Sequence, residues 1–307
     1  MFWFFLKDML QNFRGIVQFI SAERGLMLFM VSVGTAFLTL QSLAWFQAVF
    51  LGSIVFCLWS GLDALNNFYD VDLDVISDPS RANYTRKLGK LGLFIAIGFA
   101  ALSLSLGVFT LMPLVVLFIM VGIVFGIMYS VPPFRLRQTV GKPLVNFTVG
   151  AVPILIVAAF SNSFSVNVVA LVFLIGATTA VNSLWEDLAD FDSDFNSGAK
   201  TVPIVLGLRR GLFLTLATGY GLIPLMLLVG VLFQLHLIYY FVLLGLALFV
   251  SLRLVQKRRS LFGNKAGTKE LLELGHVLAK DFVVAAIVQT LSLMSSSYLT
   301  ISHILPI

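Results

Sequence analysis

Ten of the 15 acidic residues in this chain are concentrated in two short segments, residues 61–78 and residues 181–194. Within both segments an asparagine or acidic residue recurs every four positions. The two series are Asn66, Asp70, Asp74 and Asp78, and Asn182, Glu186, Asp190 and Asp194. Because residues four apart lie on one face of a helix, we predict two acidic ladders. They occupy pseudo-duplicated segments, 66–78 and 182–194, that are offset by 116 residues.

Ladders of this kind suit a bound divalent cation. Carboxylates stacked on one helix face repel one another, and each is costly to desolvate near a membrane. Mg²⁺ removes the repulsion and prefers a few carboxylate oxygens together with phosphate oxygens. Two ladders that face each other would hold two or more Mg²⁺ ions with a diphosphate between them. The ions would also neutralise the charge that develops on a leaving diphosphate.

One simpler interpretation is a solvated acidic helix end that only caps the membrane surface. It explains a single ladder as well as a metal site does. Two ladders in matching register, each headed by asparagine, favour the metal site. A transition-metal site rich in histidine is not indicated, because His236, His276 and His303 are scattered along the chain.

Basic residues near the ladders suit a diphosphate ligand. The candidates are Arg24, Arg81, Arg135, Lys142 and Lys200. Arg81 and Lys200 follow the two ladders closely, and Arg135 follows a Pro-Pro turn that begins at Tyr129. Taken singly, such residues also serve as anchors at the cytoplasmic surface of a membrane.

The elements that must position these residues are membrane-spanning helices. The 307 residues are 59% hydrophobic and 11% charged, whereas soluble domains carry about a quarter charged residues. Apolar runs of the roughly 20 residues needed to span a bilayer recur nine times. They cover about 26–44, 46–65, 91–109, 112–130, 143–160, 165–185, 211–232, 235–254 and 281–300. We therefore predict an all-α membrane protein that forms a single domain over residues 1–307.

The distribution of charge indicates an orientation. With a cytoplasmic N-terminus, the inner segments would be 1–25, 66–90, 131–142, 186–210 and 255–280. All 20 Lys and Arg residues lie in these segments or, for Arg253, at the inner end of the adjoining span. This is the positive-inside pattern, so the net charge of +5 implies no nucleic-acid partner. The pattern places the C-terminus outside.

Two further features are structural rather than chemical. Charges interrupt the aromatic-rich residues 1–20, and no small-residue cleavage site follows them, so an interfacial helix is favoured over a signal peptide. The single cysteine, Cys57, lies inside an apolar run and excludes a disulfide framework.

Three motifs resemble those of the UbiA superfamily of intramembrane prenyltransferases. Residues 66–74 resemble its N-x-x-x-D-x-x-x-D motif, and residues 187–203 resemble its D-x-x-D-x-x-x-D segment with the trailing G-x-x-T-x-P. Residues 129–135 resemble its Y-S-x-P-P-x-R turn. The motifs occur in family order across the first seven spans. Asn67 and Ala82 stand where the family commonly has Asp and Pro.

The resemblance implies a nine-helix bundle around a central cavity that opens laterally to lipid and is capped on the cytoplasmic side. It implies Mg²⁺-assisted condensation of a polyprenyl diphosphate with an acceptor and loss of pyrophosphate. The implied metal ligands are Asn66, Asp70, Asp74, Asp187, Asp190 and Asp194. Arg81, Arg135 and Lys200 would hold the diphosphate. Tyr129 would contact the diphosphate or stabilise the allylic cation.

Three functions are compatible with these features. The first is prenyl transfer to a small acceptor, either aromatic or a lipid alcohol. The second is a terpene cyclase of the same superfamily, which would form product without an acceptor. The third is a transporter of cations or lipids, which intramembrane acids often mark. Here the acids lie at one membrane face, and the outer halves of the spans carry no charge to continue a pathway.

Overall fold

A computed structural model describes residues 12–72, 75, 78–262 and 267–304, without the side chains of residues 258–260 and 262. Within these residues the structure is helical and contains no strand. Nine helices are long and apolar enough to cross a membrane. They are α1 (Ala22–Leu40), α2 (Trp45–Tyr69), α4 (Lys90–Phe109), α5 (Pro113–Ser130), α6 (Lys142–Ser161), α7 (Val166–Ala189), α10 (Leu208–Leu232), α11 (Leu237–Phe262) and α12 (Thr268–Ile304). The predicted fold class and the nine predicted spans are confirmed.

Short helices connect the spans at one end of the bundle. They are α3 (Pro79–Leu88), α8 (Phe191–Ser197) and α9 (Val202–Leu206), together with a 3-10 turn at Leu136–Gln138. Each begins next to one of the motifs singled out in the sequence. The connections next to the predicted site residues are therefore helical, and they lie at the same end as the acidic residues.

The first span begins earlier than predicted. We expected it to cover 26–44, but Gln41 has a left-handed backbone (φ 49°) and ends the helix. The helix includes the charged residues Glu23 and Arg24, which precede the predicted span. Residues 12–19 are also helical, which agrees with the helix expected over residues 1–20 as far as the structure describes it.

The last helix, α12, is longer than its apolar run. It begins at Thr268, whereas the predicted span covers 281–300. Leu271, Leu274 and Leu278 are buried with side chains of α7, and Glu273, His276 and Val277 between them are exposed. This three-to-four-residue spacing is that of an amphipathic helix. A hydropathy criterion misses it because the charged residues lower the average.

The spans divide into a buried and a lipid-facing group. In apolar stretches of 18 residues within α1, α2, α6 and α7 more than half of the residues are buried, and Phe37, Leu51 and Ile154 are fully enclosed in one core. In α4 and α11 large apolar side chains such as Phe94 and Phe241 point outward. Contiguous exposed apolar surface on this scale requires lipid as the solvent. The buried group includes α2 and α7, and it therefore positions the acidic segments at the ends of these two helices.

Close packing of α2 against α4 fixes the position of the first acidic segment along the bundle axis. A Cβ at Gly61 would lie 2.9 Å from the backbone nitrogen of Ala100 and 3.1 Å from the carbonyl oxygen of Ala96. Because backbone atoms cannot rotate away, Gly61→Ala is expected to lower the free energy of unfolding by about 1–3 kcal/mol. Thermal unfolding in detergent measures this change.

Gly98 provides the matched control. It lies on α4, and a Cβ there would have no atom within 4 Å. Gly98→Ala should be neutral, or stabilising by up to about 1 kcal/mol, because alanine restricts the unfolded chain. Equal melting temperatures for the two variants would show that α2 and α4 do not pack this closely.

Candidate active site

The two acidic segments do not continue as helices. α2 ends at Tyr69 and α7 ends at Ala189, so Asp70 and Asp190 are the C-cap residues. Their backbone N–H groups donate to the carbonyl oxygens of Asn66 (3.0 Å) and Glu186 (2.8 Å). The prediction of one continuous ladder is therefore wrong for the second segment, whose remaining carboxylates lie on α8. A break avoids stacking like charges on successive turns.

The helix ends also change the register of the duplication. Asp70 corresponds to Asp190, which is an offset of 120 residues. The offset of 116 that we inferred from four-residue spacing is wrong, because both series are periodic and can be aligned one turn too early. In the corrected register Asn66 corresponds to Glu186. Asp74, which would correspond to Asp194, lies outside the described residues.

A cavity of about 360 Å³ opens between the ends of α1, α2, α5, α6 and α7 and the middle of α12. Six of the predicted site residues line it: Arg24, Asn66, Arg81, Tyr129, Lys142 and Asp190. One to three turns further into the bundle the lining becomes apolar, with Leu28, Val31, Val149, Ile175 and Leu293. The cavity thus joins a charged end to an apolar interior.

Two arginines contact Asp70, the C-cap residue of α2. The Asp70 side chain is fully buried, and Arg137 contacts its Oδ2. Arg135 Nη2 donates to the carbonyl oxygen of Tyr69 at 3.0 Å and lies 3.5 Å from Asp70 Oδ1. Both arginines follow the turn that contains the cis Pro132–Pro133 peptide. The turn motif therefore supplies the counter-charge for the first segment.

A lysine and a third arginine neutralise the end of α7. Lys142 Nζ donates to Asp187 Oδ1 at 2.5 Å and lies 3.9 Å from Glu186 Oε2. Arg24 Nη2 forms an ion pair with Glu186 Oε1 at 2.7 Å. Asp187 is fully buried, and its Oδ2 has no hydrogen-bond partner. An unpartnered buried carboxylate oxygen is expensive, and a bound cation would satisfy it.

Burial destabilises the charged forms of the next two acids. Desolvation raises the pKa of Asp190 and of Asp194 above the usual carboxyl range, and the positive charges of Lys142 and Arg137 oppose the shift only in part. A cation bound beside them would favour the carboxylates. Burial also lowers the pKa of the Arg137 guanidinium, against the opposing effect of the same acids.

The remaining predicted residues lie around the rim. Arg81 lies in the first turn of α3, and its Nε is 3.8 Å from Oδ2 of the N-cap residue Asp78. Lys200 has an exposed side chain, and its backbone N–H donates to the Gln138 carbonyl at 2.8 Å, which ties two connections together. Asp194 is partly buried on α8. Neither Lys200 nor Asp194 lines the cavity itself.

In the part of the chain that the structure describes, no three acidic, histidine or cysteine side chains are close enough to form a ready metal centre. Basic side chains lie beside two of the predicted ligands, Asp70 and Asp187. At Asp70 a metal ion would have to displace Arg137. At Asp187 the unpartnered Oδ2 could be reached without displacing Lys142 from Oδ1.

Sequence reasoning missed three cavity residues, Asp63, Arg137 and Glu186, as site residues. Asp63 carried a signal, since it is a lone carboxylate inside an apolar span. Glu186 belonged to the predicted ladder but not to the selected ligands. Arg137 resembled an ordinary cytoplasmic anchor, and only the folded turn brings it to Asp70.

Together these features define an integral membrane protein whose helices enclose a cavity that is charged at one end and apolar inside. The chain belongs to the UbiA prenyltransferase family, whose model matches residues 27–266.

Among characterised relatives, the digeranylgeranylglyceryl phosphate synthase of Natronomonas pharaonis is 28% identical over 168 residues, which is 53% of this chain and 58% of that protein. The synthase of the same name from Haloquadratum walsbyi is 24% identical over 145 residues, which is 47% of this chain and 50% of that protein. The chain thus matches between half and two thirds of the length of these relatives.

Solved structures share the fold. A UbiA homologue from Archaeoglobus fulgidus, bound to GPP and Mg²⁺, superimposes with a TM-score of 0.64 at 16% identity, covering 94% of this chain and 99% of that chain. The apo UbiA homologue from Aeropyrum pernix K1 gives a TM-score of 0.64 at 18% identity, covering 87% of this chain and 98% of that chain.

Proposed function

We propose that this protein transfers a prenyl group from a polyprenyl diphosphate to a small acceptor and releases pyrophosphate. The cavity carries the proposal. Its charged end suits a diphosphate, and its apolar interior suits a hydrocarbon chain. A site of this shape binds an amphipathic molecule in one orientation. Family membership and the GPP-bound homologue from Archaeoglobus fulgidus support this substrate class.

The residues at the charged end fit Mg²⁺. Asp187 Oδ2 is buried without a hydrogen-bond partner, and basic side chains already stand in for cations at Asp70. The proposed ligands, directly or through water, are Asn66, Asp70, Asp74, Asp187, Asp190 and Asp194. When bound, Mg²⁺ would stabilise the charge that develops on the leaving pyrophosphate.

The chain's own side chains would bind and orient the diphosphate. Arg81 lies in the first turn of α3, and Arg135 directly precedes the 3-10 turn at Leu136–Gln138. From the rim of the cavity they would approach phosphate oxygens as the C–O bond breaks. Lys200 would close the site from the neighbouring connection. The apolar walls would exclude water and so protect the allylic cation from hydrolysis. Tyr129 lines the cavity and would contact the diphosphate or that cation.

For the acceptor we propose a lipid alcohol. The relatives are named for making digeranylgeranylglyceryl phosphate, a product that carries two prenyl groups on glyceryl phosphate. The corresponding acceptor would be a geranylgeranylglyceryl phosphate, which has one free hydroxyl. An aromatic acceptor is the alternative that the same cavity would admit.

A thermal-shift matrix tests the site without requiring the acceptor. Because Mg²⁺ and pyrophosphate would complete each other's coordination, we expect each to protect the fold far better when the other is present. Additive, independent effects would contradict a shared site. Mass spectrometry of lipids made from labelled geranylgeranyl diphosphate, with a panel of acceptors, then identifies the product. Product formed without any acceptor would indicate a cyclase.

We also propose that the charged end of the bundle faces the cytoplasm, because the Lys and Arg residues are concentrated there. Reporter fusions after Lys142 and after Ile307 should then report opposite sides of the membrane, the first cytoplasmic and the second external. Matching signals would contradict both the orientation and an odd number of spans. Flux of Mg²⁺ into proteoliposomes would support a transporter instead.

A further inference from the structure

Asp63 is a carboxylate in the cavity that belongs to neither of the two acidic helix ends. These ends, at Asp70 of α2 and Asp190 of α7, are called the caps below. It lies on α2 seven residues before Asp70, which is about 10 Å further into the bundle along the helix axis. Its side chain lines the cavity. The indole Nε1 of Trp59, one turn earlier, donates to Asp63 Oδ2 at 3.1 Å. The ring therefore holds the carboxylate in one orientation.

Its electrostatic surroundings differ from those of Asp70, Asp187 and Glu186. Asp70, Asp187 and Glu186 each form ion pairs, whereas Asp63 forms none within the described residues. The charged groups nearest to it are Arg24 and Glu23 on α1 and Glu186 on α7. Arg24 is already paired with Glu186 at 2.7 Å. The Ser21 hydroxyl also hydrogen-bonds to Asp63. Its two hydrogen-bond donors, Trp59 and Ser21, are thus neutral, and because a carboxylate has about four acceptor sites, Asp63 keeps acceptor capacity for a ligand in the cavity.

The depth of Asp63 matches the position of the reacting carbon. Under the proposed function, the diphosphate lies at the level of Asp70 and Asp190, and the prenyl chain extends into the apolar interior. The breaking C–O bond then lies just inside the caps. An acceptor that attacks this carbon must place its own reactive group one or two helical turns inside them. Asp63 and Asn182 line the cavity at this level.

Transfer to a hydroxyl group requires a proton acceptor. When the lone pair of the acceptor oxygen bonds to the allylic carbon, the oxygen becomes positively charged and must lose its proton. Water is excluded from an apolar cavity, and a pyrophosphate neutralised by cations is a weak base. A carboxylate within reach of the hydroxyl supplies the missing base.

We propose that Asp63 binds the hydroxyl group of the acceptor and accepts its proton during transfer, an assignment that rests on the proposed function. The acceptor O–H bond breaks as the new C–O bond forms, and the proton goes to a carboxylate oxygen of Asp63. Pyrophosphate leaves with the electron pair of the old C–O bond. The proton then passes to solvent when the products depart. Trp59 is the positioning residue, and the acceptor class is a hydroxyl compound.

Asp63→Asn is the test, with geranylgeranyl diphosphate as donor and geranylgeranylglyceryl phosphate as acceptor. The amide keeps the shape and the contact with Trp59 but cannot accept the proton. We expect kcat/KM for transfer to fall by about 10²–10⁴-fold. The stabilisation by Mg²⁺ and pyrophosphate should remain at the wild-type level, because the caps are unchanged. In wild type, kcat/KM should decline at acidic pH as Asp63 is protonated, in addition to any decline caused by Asp190 and Asp194, and the variant should lack the part that comes from Asp63.

A nitrophenol that is ionised at the assay pH separates proton transfer from positioning. It needs no base, so wild type and Asp63→Asn should transfer to it at similar rates. Asp72→Asn makes the same change at a side chain that is 87% exposed and paired with Arg86, and should behave as wild type with both acceptors.

Equal transfer to the lipid alcohol by Asp63→Asn and wild type would overturn the assignment. A loss that is the same for alcohol and nitrophenolate would also overturn it and would indicate a structural role. If Asp63→Asn does not fold, Trp59→Phe serves instead, and it should lower kcat/KM with the alcohol but not with the nitrophenolate. Failure of wild type to bind Mg²⁺ with pyrophosphate would instead contradict the proposed function.

Discussion

Replacing Asp190 by alanine is expected to lower prenyl transfer by at least about 10³-fold and to leave the protein folded. The loss of rate follows from removing a carboxylate that would hold a cation against the leaving pyrophosphate, an electrostatic contribution of this order. The stability should change by no more than about 0.5 kcal/mol. Within the described residues the Asp190 side chain forms no hydrogen bond or ion pair, and its burial raises its pKa.

Asp192→Ala is the matched control. Asp192 is exposed on α8, two residues further along the chain, and its replacement should leave turnover near the wild-type value. Rates are measured at saturating Mg²⁺, and folding is checked by thermal unfolding in detergent. Near wild-type turnover by Asp190→Ala would mean that this carboxylate is not a metal ligand.

Asp70→Ala should also abolish turnover, but, unlike Asp190→Ala, it should lower the free energy of unfolding. Removing Asp70 leaves Arg135 and Arg137 without their buried partner. The relief of repulsion expected for a carboxylate ladder therefore applies to Asp190 and not to Asp70. Only the structure shows this, because the ladder spacing alone treats the two acids as equivalent.

The fold could be predicted from the sequence because membrane insertion is governed by local properties. The length and apolarity of each run determine where a span occurs, and the distribution of Lys and Arg indicates which ends lie together. The α12 helix extends beyond its predicted bounds because local apolarity does not determine where it begins. Its first part is stabilised by packing of Leu271 and Leu274, which a hydropathy average does not register.

The candidate site was only partly predictable. Residue type and spacing located the acids, but periodicity alone could not tell an offset of 116 from one of 120. The partners of each acid depend on tertiary contacts between distant segments. Nothing in the sequence pairs Arg137 with Asp70 or Lys142 with Asp187, since these contacts arise only when the α5–α6 connection folds against α2 and α7.

Those ion pairs have a consequence for metal binding. In the described structure the guanidinium of Arg137 contacts the buried carboxylate that we propose as a Mg²⁺ ligand. The positive charge that stabilises Asp70 is therefore supplied by the protein when no cation is bound. Binding of Mg²⁺ with pyrophosphate would release Arg137 from Asp70 and leave it beside the anionic ligand, so little charge would be left uncompensated in either state.

Arg137→Ala is accordingly expected to lower the free energy of unfolding of the metal-free protein by about 3 kcal/mol, since removing one partner leaves a buried charge poorly compensated. Arg135 remains near Asp70, but at 3.5 Å, so the loss should lie at the low end of the range for such pairs. Reversible unfolding in mixed micelles measures it. Arg86→Ala is the control, because Arg86 and its partner Asp72 are 50% and 87% exposed, and such pairs contribute at most about 1 kcal/mol.

Addition of Mg²⁺ together with pyrophosphate should reduce the difference between wild type and Arg137→Ala, because the cation then compensates Asp70 in both proteins. Neither Mg²⁺ nor pyrophosphate alone should do so, since each completes the coordination of the other. The Arg86→Ala difference should not respond to these ligands. A penalty for Arg137→Ala that persists unchanged with both ligands present would mean that the ion pair with Asp70 survives ligand binding. In that case Asp70 would be a structural acid, and the metal would have to be held by the carboxylates after α7.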